Sequence, residues 1–117
     1  MSDGRLHFNK LVRDQVPENL KAKGLESEIR VLGDEEFEQE LLKKAFEEAE
    51  ELAHAIGRDE VLKELADLED VLAEIKKLKA ITDEELEIVK KQAFDKKGGF
   101  TKRLFLAWSS DDGYKSK

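Results

Sequence analysis

The chain has 117 residues, of which 42% are charged, and its formal net charge at pH 7 is −7. This length suits one domain with one core. The acidic balance excludes a nucleic-acid polymer as the expected partner, because binding a phosphate backbone needs a basic face. The chain contains no cysteine and two histidines, which excludes disulfides and metal sites rich in thiolate or imidazole. Any metal ion must therefore be a hard cation bound by oxygen.

The first predicted elements are short. Pro17 favours the first turn of a helix that runs to about Lys23, where Gly24 ends it. Polar and apolar side chains alternate over Glu28–Leu32, and this pattern predicts a short strand.

Two long helices are predicted next, over residues 35–56 and from Asp59 to about Ala80. Asp34 is the expected N-cap of the first helix and Gly57 its end, while Asp59 is the expected N-cap of the second. Apolar residues recur on one face of each helix: Phe37, Leu41, Leu42, Ala45, Phe46, Ala49, Leu52, Ala53 and Ile56 on the first, and Val61, Leu65, Leu68, Val71, Leu72, Ile75 and Leu78 on the second. With so short a connection, the two helices should pack antiparallel as a hairpin.

A third helix is predicted over residues 83–96. Thr82 and Glu85 have the spacing of a capping box at its start, and Gly98–Gly99 ends it. Phe100–Trp108 is either a short strand or an extended segment that packs on the helices. The expected fold is therefore mostly all-α, a helical bundle around two long antiparallel helices, either without strands or with one or two short strands at its edges.

Residues 1–108 are predicted to form a single domain, and residues 109–117 a disordered tail. The N-terminal residues lack the apolar core of a signal peptide, and no apolar run reaches membrane-spanning length. We therefore expect a cytoplasmic protein without a membrane partner. The few apolar faces available to cover the hairpin favour a homodimer or a higher homo-oligomer.

Four carboxylates interrupt the apolar faces of the hairpin. On the first long helix, Glu48 lies within the apolar arc and Glu51 at its edge. On the second, Glu64 is central to the arc and Asp67 lies at its margin. Each pair is three residues apart, so its members project to the same side of the helix. Four carboxylates brought together by the hairpin favour a divalent cation with oxygen ligands, magnesium or manganese.

The same carboxylates are also compatible with purely structural roles. A glutamate run in an acidic chain is often a solvated helix face, and a buried carboxylate can form a structural salt bridge with a lysine. Glu38 also falls in the apolar arc and is expected to extend past the end of the core. The central position of Glu64, opposed by Glu48, is what favours a metal site.

The motifs resemble those of one enzyme family. E-E-A-E-E at Glu47–Glu51, followed by E-L-A-D at Glu64–Asp67, is similar to the E-E-x-x-E…E-x-x-D signature of the MazG-like all-α nucleoside triphosphate pyrophosphohydrolases. N-K-L-V-R-D at Asn9–Asp14 and K-G-G-F-T-K-R at Lys97–Arg103 resemble the small house-cleaning branch, which is akin to phosphoribosyl-ATP pyrophosphohydrolase. The resemblance extends from about residue 8 to 106.

The resemblance implies a reaction and a set of catalytic residues. Relatives hydrolyse the α–β phosphoanhydride of nucleoside triphosphates and release a monophosphate and pyrophosphate. By this resemblance, magnesium, with manganese as a substitute, is held by four carboxylates: Glu48, Glu51, Glu64 and Asp67. Glu47 is expected to orient the attacking water rather than to bind the metal.

Basic residues near both ends of the chain are expected to bind the substrate. Arg13 can contact a phosphate bidentately while Lys10 adds a point charge. Lys102 and Arg103 follow the glycine pair, whose backbone can approach a ligand closely. The alternatives are a surface ion pair of Arg13 with Asp14 or a neighbouring helix, and a glycine C-cap followed by a solvated basic stretch.

Three functions are compatible with these patterns. The first is a magnesium-dependent pyrophosphohydrolase of non-standard nucleoside triphosphates. The second is a pyrophosphohydrolase of phosphoribosyl-ATP or a similar nucleotide anhydride. The third is a non-catalytic acidic helical module for dimerisation or interaction. A nucleotide is the expected partner in the first two.

Overall fold

The computed structural model describes residues 3–113. Its helices are α1 (Val16–Ala22), α2 (Asp34–His54), α3 (Gly57–Leu78) and α4 (Asp83–Lys97). The all-α prediction is confirmed, and the described residues contain no strand. The strand predicted over residues 28–32 is therefore wrong, since an isolated strand has no neighbour to accept its backbone N–H groups. Within the described range, no helix is both long and apolar enough to cross a membrane.

Contacts divide the chain into two compact units, Met1–Ile81 and Thr82–Lys117. The first unit contains α1, α2 and α3, and the second contains α4. The tail predicted over residues 109–117 falls partly outside the described residues, which end at Gly113.

The first unit is organised by the hairpin of α2 and α3. Ala55 and Ile56 connect the two helices, and Gly57 begins α3 with a φ of 82°, a left-handed conformation that glycine adopts without strain. At the open end, Lys79 just after α3 forms an ion pair with Glu38 near the start of α2. This contact between the beginning of one helix and the end of the other confirms the antiparallel arrangement.

The apolar core of the described residues is small. Leu41 of α2 and Val71 of α3 are its buried apolar side chains, 2% and 9% exposed. Several more apolar residues of α2 remain open, including Leu42 and Phe46, the latter 80% exposed. The hairpin therefore buries one narrow seam, and a second apolar face of α2 is exposed to solvent among the described residues.

Helix starts differ from the predicted aspartate caps. Asp34 is the first residue of α2, whose N-cap is Gly33, and Asp59 lies in the first turn of α3, whose N-cap is Ile56. The Ile56 N–H donates a hydrogen bond to the Glu60 carboxylate at 2.7 Å. A side chain inside the helix thus satisfies the donor, and no aspartate is needed at the cap.

The second unit begins with the predicted capping box. Thr82 Oγ1 accepts from the Glu85 N–H at 3.1 Å, and the Glu85 carboxylate accepts from the Thr82 N–H at 2.9 Å. Gly98 follows α4 with a φ of 78°, as predicted for a glycine that ends a helix.

Candidate metal centre

The hairpin places two buried carboxylates opposite each other. Glu48 of α2 and Glu64 of α3 are 7% and 9% exposed, although glutamate is among the residues least often buried. Glu51, one turn beyond Glu48, is exposed. One oxygen atom from each of the three lies within 4.8 Å of the others, so the group could hold a metal ion. The exposed Glu51 leaves this group open to solvent.

The buried carboxylates lack hydrogen bonds that a folded protein normally provides. The Oε2 atoms of Glu48 and Glu64 are inaccessible and have no hydrogen-bond partner within residues 3–113. Burying such an acceptor without a partner costs about 1–3 kcal/mol, and more when it is charged. A cation that binds both oxygens would remove this cost.

Two lysines form long ion pairs with the same carboxylates but no hydrogen bonds. Lys44 Nζ is 3.8 Å from Glu48 Oε1, and Lys63 Nζ is 3.6 Å from Glu64 Oε1. Both distances exceed those of protein hydrogen bonds. The lysines therefore offset part of the negative charge of the group, but they leave the Oε2 atoms of Glu48 and Glu64 without a partner in the described part of the chain.

The electrostatics of the group favour a bound cation. Burial raises the pKa of Glu48 above its ordinary value, and the negative charge of Glu51 raises it further, against the lowering effect of Lys44. Asp67 and Glu64 add smaller increases to the same pKa. Since burial and the neighbouring negative charges oppose ionisation, a divalent cation at the group would reverse their effect.

Asp67, the fourth predicted ligand, is not part of this group of three. Its Oδ1 accepts a hydrogen bond from Arg13 Nη2 at 3.0 Å, and Lys63 Nζ lies 4.0 Å from its Oδ2. It nevertheless lies close enough to Glu48 to raise the pKa of that side chain. Its role as a metal ligand stays a prediction.

Glu47, adjacent to Glu48 on α2, is paired with Lys10 of the segment that precedes α1. Lys10 Nζ donates to Glu47 Oε1 at 2.9 Å. This hydrogen bond lowers the pKa of Glu47 and raises that of Lys10, whose pKa is also raised by the charges of Glu51 and Glu48. The structure thus brings a predicted phosphate-binding lysine to the carboxylates.

Arg13 joins the N-terminal segment to α3. In addition to its bond with Asp67, its Nη1 donates to Asp70 Oδ2 at 2.9 Å. The hydrogen bond with Asp70 is the main cause that raises the pKa of the Arg13 guanidinium. Of the two ion pairs that the sequence allowed for Arg13, the one observed is with a neighbouring helix and not with Asp14.

Lys102 and Arg103, the remaining predicted substrate-binding residues, belong to the second unit. Both are exposed, and Arg103 has a φ of 59° with its N–H donating to the Phe100 carbonyl at 3.1 Å. Their contact with phosphate stays a prediction.

Three residues near the carboxylates were not predicted from the sequence: Lys44, Lys63 and Asp70. Spacing was the available signal, since Lys44 precedes Glu48 by four residues and Lys63 precedes Asp67 by four. Asp70 follows Asp67 by one turn, but only its contact with Arg13 distinguishes it from the many exposed acids of the chain.

Comparison of the chain with protein-family models, curated proteins and solved structures found no match.

Proposed function

We propose that the protein is a magnesium-dependent pyrophosphohydrolase that cleaves the α–β phosphoanhydride of non-standard nucleoside triphosphates. The observation that carries this proposal is the pair of buried, unpartnered Oε2 atoms of Glu48 and Glu64 beside the exposed carboxylate of Glu51. A purely structural role would leave two buried acceptors without a bond, whereas a divalent cation would coordinate both oxygen atoms.

The donor set fits magnesium. Glu48, Glu51 and Glu64 would hold the ion through oxygen atoms, with manganese as a substitute, and Asp67 would complete the set. When bound, the ion would lower the pKa of a water and offset the charge that develops on the phosphate oxygens. Glu47, adjacent to Glu48 on α2, would orient that water and accept its proton. In the hydrolysis, the water oxygen forms a bond to one phosphorus as the bridging P–O bond of the α–β anhydride breaks, and the fragments leave as nucleoside monophosphate and pyrophosphate.

Lys10 and Arg13 supply the positive charge that a triphosphate needs in an acidic domain. Lys10 donates a hydrogen bond to Glu47, and Arg13 donates one to Asp67. Both cations would therefore contact the phosphates of a nucleotide bound at the carboxylates. Phosphate binding by Lys102 and Arg103 is proposed separately, from the resemblance of the K-G-G-F-T-K-R motif alone.

Release of pyrophosphate from a substrate panel tests this function. The panel should contain standard and modified nucleoside triphosphates together with phosphoribosyl-ATP, each with magnesium and with excess chelator. We expect magnesium-dependent release from at least one nucleoside triphosphate. Turnover of phosphoribosyl-ATP alone would favour the second function, and no turnover of any compound would contradict a catalytic role.

We also propose that the chain forms a homodimer or a higher homo-oligomer. Leu42, Ala45, Phe46 and Ala49 form an open apolar surface on α2, and exposed apolar faces of this kind are typical of subunit contacts. The same face favours a non-catalytic dimerisation module as the second candidate function. Sedimentation of wild type and Phe46→Glu at micromolar concentration tests the assembly, and a monomeric wild type would contradict it.

A further inference from the structure

Arg13 binds two carboxylates of α3 with the two ends of its guanidinium. Nη2 donates to Asp67 Oδ1 at 3.0 Å and Nη1 donates to Asp70 Oδ2 at 2.9 Å. The Arg13 carbonyl accepts from the Val16 N–H at 3.1 Å, so the same residue is linked to the start of α1. Arg13 is therefore anchored on three sides, and α3 provides two of the anchors.

The two carboxylates differ in what else they can bind. Asp67 is partly buried, its side chain being 29% exposed, and its charge acts on Glu48. The Asp70 side chain is 63% exposed and lies outside the group of three carboxylates. If Asp67 also binds a divalent cation, its hydrogen bond with Arg13 weakens, because the ion withdraws negative charge from the carboxylate and repels the guanidinium. Asp70 is not subject to this weakening.

We propose that Asp70 is a positioning residue that retains Arg13 beside the carboxylates when Asp67 binds metal, leaving Nη2 free to donate to a phosphate oxygen. This inference rests on the proposed function, in which Arg13 contacts the phosphates of the substrate, and Asp70 is the residue that orients Arg13 for that contact. The guanidinium is planar and its donors are fixed in a fork, so a carboxylate on Nη1 sets the direction of Nη2. Arg13 belongs to a segment without regular secondary structure, and an oriented donor there avoids the entropy of ordering a free side chain on binding.

A surface salt bridge without function would show a different pattern. Exposed ion pairs contribute little to stability, so the loss of such a pair would leave ligand affinity as it was. A positioning role requires that Asp70 act only through Arg13, and that it affect anion binding more than metal binding.

The experiment compares Asp70→Asn, Arg13→Ala and the double variant with wild type in the full chain. Glu69→Gln is the matched control, because it removes one exposed negative charge from the adjacent position of α3. Manganese affinity is measured by electron paramagnetic resonance, and inorganic tripolyphosphate affinity by calorimetry in saturating magnesium. KM and kcat are measured for the nucleoside triphosphate that wild type hydrolyses best.

We expect Asp70→Asn to weaken tripolyphosphate binding and raise KM by about tenfold, the effect of one hydrogen bond to a charged group. Its manganese affinity and kcat should stay within about twofold of wild type, since the metal and the reacting atoms are untouched. The double variant should be no weaker than Arg13→Ala alone, because two residues that act in one chain of contacts are not additive. Asp70→Glu should restore part of the affinity, and Glu69→Gln should behave as wild type.

Two outcomes would overturn the positioning role. One is wild-type affinity for tripolyphosphate in Asp70→Asn, and the other is an equal loss of manganese and tripolyphosphate binding. Failure of the proposed function looks different, because wild type would then release no pyrophosphate from any nucleoside triphosphate. In that case the tripolyphosphate and manganese affinities still decide the role of Asp70.

Discussion

At the open end of the α2–α3 hairpin, Glu38 interrupts the apolar arc of α2 and Lys79 pairs with it directly. Near the connection between the helices, Glu48 and Glu64 interrupt the arcs in the same way. There the nearest lysines stand 3.8 and 3.6 Å away, and one buried oxygen of each carboxylate has no partner within residues 3–113. A carboxylate in an apolar arc is thus not by itself evidence of a site. What distinguishes the two ends is whether the carboxylate has buried oxygens without a hydrogen-bond partner among the described residues.

The largest expected difference between the two ends is catalytic. Glu64→Gln should lower magnesium-dependent pyrophosphate release by about 10²- to 10⁴-fold, because positioning of charge at the phosphates provides most of the catalysis in such reactions. Glu38→Gln removes the same charge from the same apolar surface and should stay within about twofold of wild type. A Glu64→Gln protein that turns over like wild type would end the metal-site proposal.

Stabilisation by magnesium should also separate the two ends. An ion at about 100 times its Kd stabilises the folded state by about 2.7 kcal/mol, which raises the melting temperature by several degrees. We expect this rise in wild type and Glu38→Gln and a much smaller one in Glu64→Gln. With chelator present, Glu64→Gln should be no less stable than wild type, since a neutral amide replaces a charge in a repelling group. A structural salt bridge to Lys63 predicts the opposite, a less stable variant that retains its activity.

Lys10, beside the buried carboxylates, and Lys79, at the open end, should differ less in their effects on catalysis. Lys10→Ala should raise KM about tenfold and leave manganese affinity unchanged, because Lys10 is proposed to contact phosphate rather than metal. Lys79→Ala, at the open end, should change neither quantity. Steady-state kinetics and manganese titration of both variants check this, and an unchanged KM in Lys10→Ala would reject its role.

The smallest expected effect concerns pH in the metal-free protein. The pKa of Glu48 is raised in the folded state. At pH values between the ordinary carboxylate pKa of 4.5 and the raised pKa, the folded chain therefore binds more protons at this side chain than the unfolded chain does. Wild type should therefore lose stability relative to Glu48→Gln as pH rises through this window. Glu47, whose pKa is lowered by Lys10, loses its contribution in acid in both proteins and cancels from the difference. Urea unfolding of both proteins with chelator, between about pH 4.5 and 7.5, measures the effect, and parallel pH profiles would contradict it.

The burial of the two central carboxylates of the candidate site was predictable from periodicity alone. Glu48 and Glu64 fall inside apolar arcs of 3.6-residue period, and both are buried in the structure, as that position requires. Glu51, at the edge of its arc, is exposed, and Asp67, at the margin, has a partly buried side chain. A helical pattern fixes the direction of a side chain relative to the partner helix, which is why the burial of Glu48 and Glu64 could be inferred. It does not fix how wide the buried seam is, and Phe46 of the same arc is exposed.

The partners of the outer carboxylates were not predictable. Lys10 and Arg13 lie in a segment without regular secondary structure, so no period indicates which side of α2 or α3 they meet. The pairing of Arg13 with Asp70 spans 57 residues of sequence and depends on where that segment crosses the hairpin. The start of α3 also escaped prediction, since Glu60 rather than Asp59 accepts the hydrogen bond of the Ile56 N–H.

The two-residue connection at Ala55–Ile56 has a consequence for the order of folding. Glu48 and Glu64 meet once a short loop closes, and the entropy of closing a loop grows with its length. The bonds of Arg13 to Asp67 and Asp70 close loops of 54 and 57 residues and should form after the hairpin. The negative group would then exist for a time before its N-terminal cations arrive. Magnesium present during refolding should accelerate hairpin formation itself, as a nucleating ligand and not only as a stabiliser of the finished fold.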